Sequence, residues 1–309
     1  MNKIKNYLSL VKFSHTIFAM PFALIGFFLG IKILDKTPPV FYYRIGDRTM
    51  LEKTIYIFLN KWWLFILVIL CMVFARSAAM AFNRYLDRNI DAKNPRTAIR
   101  EVPTGIIKAN NALTFTIVSS ILFIVCTYFI NRLCFYLSPV ALLVVLGYSY
   151  TKRFTPLCHL ILGLGLSLAP IGSYIAVTGH FDMLPIIFSF IVLFWVSGFD
   201  IIYALQDEEF DKSQKLYSIP AWLGKTNALT GSRILHFLSA GCVVYAGYLG
   251  GFGWLYWIGS VIFTGMLVYQ HLIVKPSDLR RVNIAFMTAN GVASVLFAIF
   301  VIADIFINS

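Results

Sequence analysis

Long apolar runs broken by short polar connections recur along the whole chain. They fall at residues 14–34, 55–82, 111–131, 134–150, 157–178, 184–204, 232–250, 254–274 and 284–306. A helix needs about 20 apolar residues to cross the hydrocarbon core of a bilayer. The pattern therefore predicts an all-α, polytopic membrane protein with about nine transmembrane helices. The opening residues, 1–15, mix Lys3, Lys5 and Lys12 with Ile, Tyr, Leu, Val and Phe, which suits a short helix lying in the interface. The run at 14–34 is longer than the apolar core of a signal peptide, and no small-residue cleavage site follows it, so it reads as a retained first helix.

Composition agrees. Of 309 residues 59% are hydrophobic and only 13% charged, with mean hydropathy +0.77, which excludes an ordinary soluble globule. The connections carry Lys and Arg unevenly. Eighteen lie on the side of the N-terminus, among them Arg84, Arg88, Lys93, Lys108, Lys225, Arg233, Lys275, Arg280 and Arg281. Seven lie opposite (Lys32, Lys36, Arg44, Arg48, Lys53, Lys61, Arg132), and Arg76 is left inside a span. That bias places the N-terminus and the polar connections at 83–108 and 207–218 in the cytoplasm. The formal charge of +12 is then explained by topology and an anionic leaflet, with no nucleic-acid partner implied. Five scattered cysteines give no disulfide framework or zinc site, and the five histidines show no metal-ligand spacing.

Two acidic clusters at the ends of apolar runs share a spacing: Asn83, Asp87 and Asp91, then Asp200, Tyr203, Asp207 and Asp211. Residues four apart share a helical face, so each cluster can aim oxygen ligands at a common point. Mg²⁺ takes a few carboxylate oxygens and fills its other positions with water and phosphate. Two facing stripes of this kind would hold a diphosphate at a membrane surface. An isolated Asp near an interface is usually a solvated cap. Here Asp200 lies at the edge of an apolar run, where a carboxylate costs up to about 2.5–3.5 kcal/mol, and Arg76 precedes Asn83 by seven residues as Asp200 precedes Asp207. Polar groups on one stripe of an apolar helix mark a cavity. The clusters also echo each other: Asp87 and Asp91 recur as Asp207 and Asp211 at an offset of 120, and Asn111-Ala112-Leu113-Thr114 returns as Asn227-Ala228-Leu229-Thr230. With no linker dividing the chain, residues 1–309 read as one membrane domain containing two helix–loop–helix units, near 76–114 and 200–230.

The stretches RSAAMAFNRYLDRNIDAKNPRTAIREVPTG and DIIYALQDEEFDKSQKLYSIP, with Tyr148-Ser149-Tyr150-Thr151-Lys152-Arg153 between them, resemble the UbiA-type membrane prenyltransferases, especially those acting on 4-hydroxybenzoate. The first follows N-x-x-x-D-x-x-x-D, the second D-x-x-Y-A-x-x-D-x-x-x-D, and the third Y-x-x-x-K. There are two departures. Arg84 stands after Asn83 where relatives often carry Asp, and Arg100-Glu101-Val102-Pro103 separates Arg from Pro.

The resemblance implies nine helices around a central cavity capped by cytoplasmic loops, a bacterial inner-membrane location, Mg²⁺ and no organic cofactor. It also implies transfer of a polyprenyl group from its diphosphate to an aromatic acceptor in ubiquinone or menaquinone biosynthesis. Asn83, Asp87, Asp91, Asp207 and Asp211 would then hold metal. Arg96, Arg100, Lys152, Arg153, Lys212 and Lys215 are the available cationic clamps, and Arg76 a contact for an aromatic acid or the diphosphate, or a partner for Asp200. Asp200, Tyr148, Ser149 and Tyr203 would orient the phenol or accept its proton. A secondary transporter is the rival reading, but its charged residues lie near midplane and these lie at the cytoplasmic ends. A phosphatidyltransferase would need a D-G-x-x-A-R opening, which is missing. A non-catalytic scaffold would leave both clusters without purpose.

Overall fold

A computed structural model describes residues 3–11, 18–36 and 50–307, with side chains over 5–11, 18–34 and 60–307. The start of the first apolar run and the side chains of Lys3, Lys12, Lys36, Arg44, Arg48 and Lys53 lie outside these. The helices are α1 (Lys3–Leu10), α2 (Met20–Lys36), α3 (Met50–Asp91), α4 (Ala109–Ile130), α5 (Arg132–Thr151), α6 (Cys158–Thr178), α7 (Met183–Ala204), α8 (Glu208–Ser213), α9 (Ile219–Leu249), α10 (Trp254–Ile273) and α11 (Asn290–Ile307). There is no β-strand among the described residues, beyond one isolated bridge between Lys275 and Asp278. The protein is an integral, multi-pass membrane protein.

Among the described residues each of the nine apolar runs overlaps one helix, the last preceded by a π-helical segment at Ile284–Ala289, but seven stretches are long and apolar enough to cross a bilayer. The first, Met20–Leu34, is apolar but short. The seventh, α9, does not meet that standard: it bends at Gly224, whose φ of 76° is left-handed, and carries Lys225, Asn227, Arg233 and His236 beyond the bend. The count of nine spans is thus an upper reading of the pattern.

Excess length in α3 matters for the chemistry. It bends at Lys61, and the stretch beyond, Asn60–Asp91, has 32 residues. That is about 48 Å of helix against ~30 Å of hydrocarbon, so its last turns, bearing Asn83, Asp87 and Asp91, can reach past the apolar core.

The bundle is asymmetric. α7 is central, with 61% of its apolar window buried in the protein, against 17% for α5 at the periphery. Around α7, side chains from α2, α10 and α11 form an aromatic core: Phe22 lies 5.3 Å from Trp195, and Phe263 lies 5.0 Å from Phe297. Such rings bury large apolar areas and lock the layers. Glycine permits the closest approach, as small residues do in membrane bundles. A Cβ on Gly26 of α2 would stand 2.0 Å from the Pro170 carbonyl oxygen of α6. The opposite half, between α3, α4, α5 and α6, encloses an apolar cavity of about 340 Å³ lined by residues such as Val68, Met72, Phe123 and Leu137. At the N-terminus, α1 packs Leu10 and Tyr7 against Ala81, Val102 and Phe115.

Candidate active site

The apolar cavity meets a polar one of about 310 Å³ at the end of the bundle where α3 and α7 finish, and Arg76, Met80, Tyr148, Leu162 and Leu166 line both. Both acidic clusters face the polar cavity, α3 supplying Asn83, Asp87 and Asp91 to one wall. Asp87 is 1% exposed. It accepts from Lys152 at 2.6 Å, Arg153 at 2.9 Å and the Asn83 amide at 3.0 Å. One buried carboxylate thus ties α3 to the end of α5, whose Ser149 hydroxyl also accepts from Asn83 at 3.5 Å. Asp91 accepts from Arg100 at 2.7 Å through one oxygen, while its other oxygen is buried with no hydrogen-bond partner.

The second cluster departs from the expected continuous helical stripe. α7 ends at Ala204, a 3₁₀ turn spans Leu205–Asp207, and α8 restarts the chain at Glu208. Asp200, Tyr203, Asp207 and Asp211 still line the same cavity, on three successive elements rather than one helix face. The loop after α3 bridges the two walls. The Arg96 guanidinium makes a two-pronged pair with Asp207, and its Nη1 donates to the Tyr203 hydroxyl at 2.7 Å. Asn94 shapes this loop by accepting from the Arg96 backbone at 3.0 Å and donating to Asp207 at 3.2 Å. Burial opposes charge on Arg96, but the Asp207 carboxylate and the Tyr203 hydroxyl outweigh it and push its pKa up, so this clamp stays cationic. Asp211 accepts from the Ser218 hydroxyl at 2.8 Å.

Some cationic residues sit elsewhere. Lys212 and Lys215 do not line the cavity. One residue on from Asp211, Lys212 is turned about 100° around α8, where it pairs with Glu208 at 2.6 Å. Lys215 follows α8 in a left-handed backbone conformation, φ 53°. Arg153 lies behind Asp87 rather than in the cavity, anchored to the Ser149 carbonyl at 2.8 Å and the Leu86 carbonyl at 3.2 Å. Arg76, Arg96, Arg100 and Lys152 do line it, as do Tyr148 and Ser149.

Besides Asn94 and Ser218, two polar cavity residues stand out that the sequence reading does not assign to the site. His159, on the first turn of α6, holds Asp200 at 2.7 Å through Nδ1, while its Nε2 accepts from the Ile219 backbone N–H at 3.3 Å. The ring thus ties Asp200 of α7 to the backbone at the start of α9. No spacing rule could have found a pair 41 residues apart. Arg84 is the other, read in the sequence as a cytoplasmic-side cation and as a departure from the motif.

The donor set suits a hard cation, being carboxylate and amide oxygens with one buried carboxylate oxygen of Asp91 lacking a partner. Among the described residues, no three His, Cys, Asp or Glu converge as a closed metal cage. The acidic residues lie on two walls, an arrangement suited to a cation that completes its shell with phosphate oxygens and water.

Known proteins fit this architecture. The 4-hydroxybenzoate octaprenyltransferase of Paraburkholderia phytofirmans is 29% identical over 243 residues, covering 76% of this chain and 82% of that protein. The protein with the same description from Paraburkholderia phymatum is 28% identical over 287 residues, covering 90% and 96%. Among solved structures, the apo structure of a UbiA homolog from Aeropyrum pernix K1 superposes with a TM-score of 0.73 at 26% identity, covering 95% of this chain and 98% of that one. A UbiA homolog from Archaeoglobus fulgidus, solved bound to DMAPP and Mg²⁺, shares the fold with a TM-score of 0.68 at 19% identity, covering 98% and 99%. Residues 58–292 match the UbiA prenyltransferase family, and this chain belongs to it.

Proposed function

We propose that this protein transfers a polyprenyl group from an allylic prenyl diphosphate to a hydroxylated aromatic acid, 4-hydroxybenzoate or a related acceptor, in quinone biosynthesis. One observation carries the reading: two acidic walls interleaved with cations face one polar cavity, which continues into an apolar one. That is the shape of a substrate with a charged head and a hydrocarbon tail. The Lys and Arg bias of the connections supports a cytoplasmic opening, and the likeness to the relatives above supports an inner-membrane location.

In this reading the carbon–oxygen bond to the diphosphate breaks, and the allylic carbon bonds to the acceptor ring, which then loses a proton. The leaving group carries away the developing negative charge. Lys152, Arg96 and Arg100 stand where they can receive its oxygens, and such prearranged charge lowers the barrier most. Asp87, Asp91, Asp207 and Asp211, with Asn83, would hold Mg²⁺, which supplies electrophilic stabilisation of the diphosphate. Arg76, at the junction of the cavities, suits the acceptor's carboxylate. Tyr148, Ser149 and Tyr203 orient the acceptor, and Asp200, fixed by His159, takes the proton that the ring releases. Leu162, Leu166 and Met80 at the junction keep water from the allylic cation.

The test uses purified protein in nanodiscs with a labelled prenyl diphosphate and either 4-hydroxybenzoate or a dihydroxynaphthoate. Label is expected in one aromatic product, and chelation of Mg²⁺ is expected to abolish it. Folded protein that labels no acceptor across a panel of chain lengths contradicts the proposal.

A further inference from the structure

Arg84 lies three residues before Asp87 and seven before Asp91, on the same face of α3. It lines the polar cavity and is only 4% exposed. Among the described residues its side chain makes one hydrogen bond, from Nη1 to the Asn83 side-chain amide oxygen (Oδ1) at 3.1 Å, and its Nε is buried with no acceptor. It makes no ion pair among the described residues: Asp87 is held by Lys152 and Arg153, and Asp91 by Arg100 through one of its two oxygens. A buried guanidinium with no carboxylate in direct contact is costly to maintain. Its planar fork matches two oxygens of a phosphate, and one prong already stands without a partner.

The same contact fixes Asn83. Its Nδ2 donates to Asp87 at 3.0 Å, so its oxygen must face Arg84. A guanidinium resting on that oxygen repels any cation approaching it.

We infer that Arg84 is a diphosphate-binding residue that also controls access to the Asn83 oxygen. A diphosphate entering the cavity draws the guanidinium onto its own oxygens, and the released Asn83 oxygen becomes available to a divalent cation. Binding is therefore ordered. The diphosphate group is held without metal, and a divalent cation alone binds weakly until the anion arrives. This rests on the diphosphate reading above and adds a residue that the acidic motif does not contain.

The experiment is calorimetry on the full chain in nanodiscs with EDTA, using inorganic pyrophosphate and, separately, geranyl thiolodiphosphate. Wild-type protein is expected to bind both, and Arg84→Gln to weaken both by at least tenfold. Without pyrophosphate, Mn²⁺ followed by electron paramagnetic resonance is expected to bind Arg84→Gln at least threefold more tightly than wild type. Arg84→Lys, which keeps the charge and loses the fork, is expected to weaken pyrophosphate severalfold and serves alone if the Gln variant does not fold. Unchanged pyrophosphate affinity in these variants overturns the inference, as does unchanged Mn²⁺ affinity in Arg84→Gln or a loss confined to the prenyl compound. Wild-type protein that binds pyrophosphate only with Mg²⁺ overturns it while leaving the proposed function intact. Binding under neither condition overturns both.

Discussion

Asp87→Asn is expected to lower prenyl transfer about 10³-fold, the scale set by removing one prearranged electrostatic group from an active site. The carboxylate is buried and neutralises Lys152 and Arg153 together. Asparagine keeps its shape and one acceptor oxygen but removes the charge that fixes both cations and would bind metal. Truncation to Ala would in addition leave two half-buried cations unpaired. Asn is therefore the informative variant. Turnover is read beside a thermal melt in detergent, and near-normal turnover by a folded Asp87→Asn protein contradicts the two-wall account.

Asp200→Asn is expected to lower kcat by about 10²–10³, within the range of lost general-base catalysis. KM for the prenyl diphosphate is expected to hold, because the diphosphate-facing cations and carboxylates are left in place. His159→Gln is expected to cost less, since it disturbs the orientation of Asp200 and leaves the carboxylate itself. A fall in kcat for His159→Gln equal to that for Asp200→Asn would show that the ring, and not the carboxylate, handles the proton. A KM change without a kcat change in Asp200→Asn would instead make Asp200 a binding residue.

Much of this site was legible in the sequence because of where its polar residues sit. Asp87 and Asp91 stand out in an otherwise apolar helix, and their four-residue spacing projects them onto one face. Asp207 and Asp211 have the same spacing but not the same backbone, because the 3₁₀ turn at Leu205–Asp207 interrupts the helix. They reach the cavity through tertiary packing, which spacing alone does not encode. Lys212 and Lys215 were grouped with the clamps by proximity in sequence, yet one residue along a helix turns a side chain about 100° away. His159 was invisible for the converse reason, its role depending on α6 and α7 lying side by side. Arg84 was visible as a cytoplasmic-side cation and a misfit, and its burial gives that misfit a meaning. The helical class followed directly from the apolar runs. The number of spans did not, because Met20–Leu34 is short and α9 combines a bend at Gly224 with Lys225, Asn227, Arg233 and His236 beyond it.

The central claim is that the two acidic walls act on one diphosphate through bound cations. Anomalous diffraction from crystals grown with Mn²⁺ and a prenyl thiolodiphosphate tests it most directly. The account predicts Mn²⁺ between the walls, contacting Asp87 or Asp91 on one side and Asp207 or Asp211 on the other, with the diphosphate against Lys152 and Arg96 and the prenyl chain in the apolar cavity. Manganese bound outside the polar cavity, or a diphosphate that leaves one wall untouched, would contradict it.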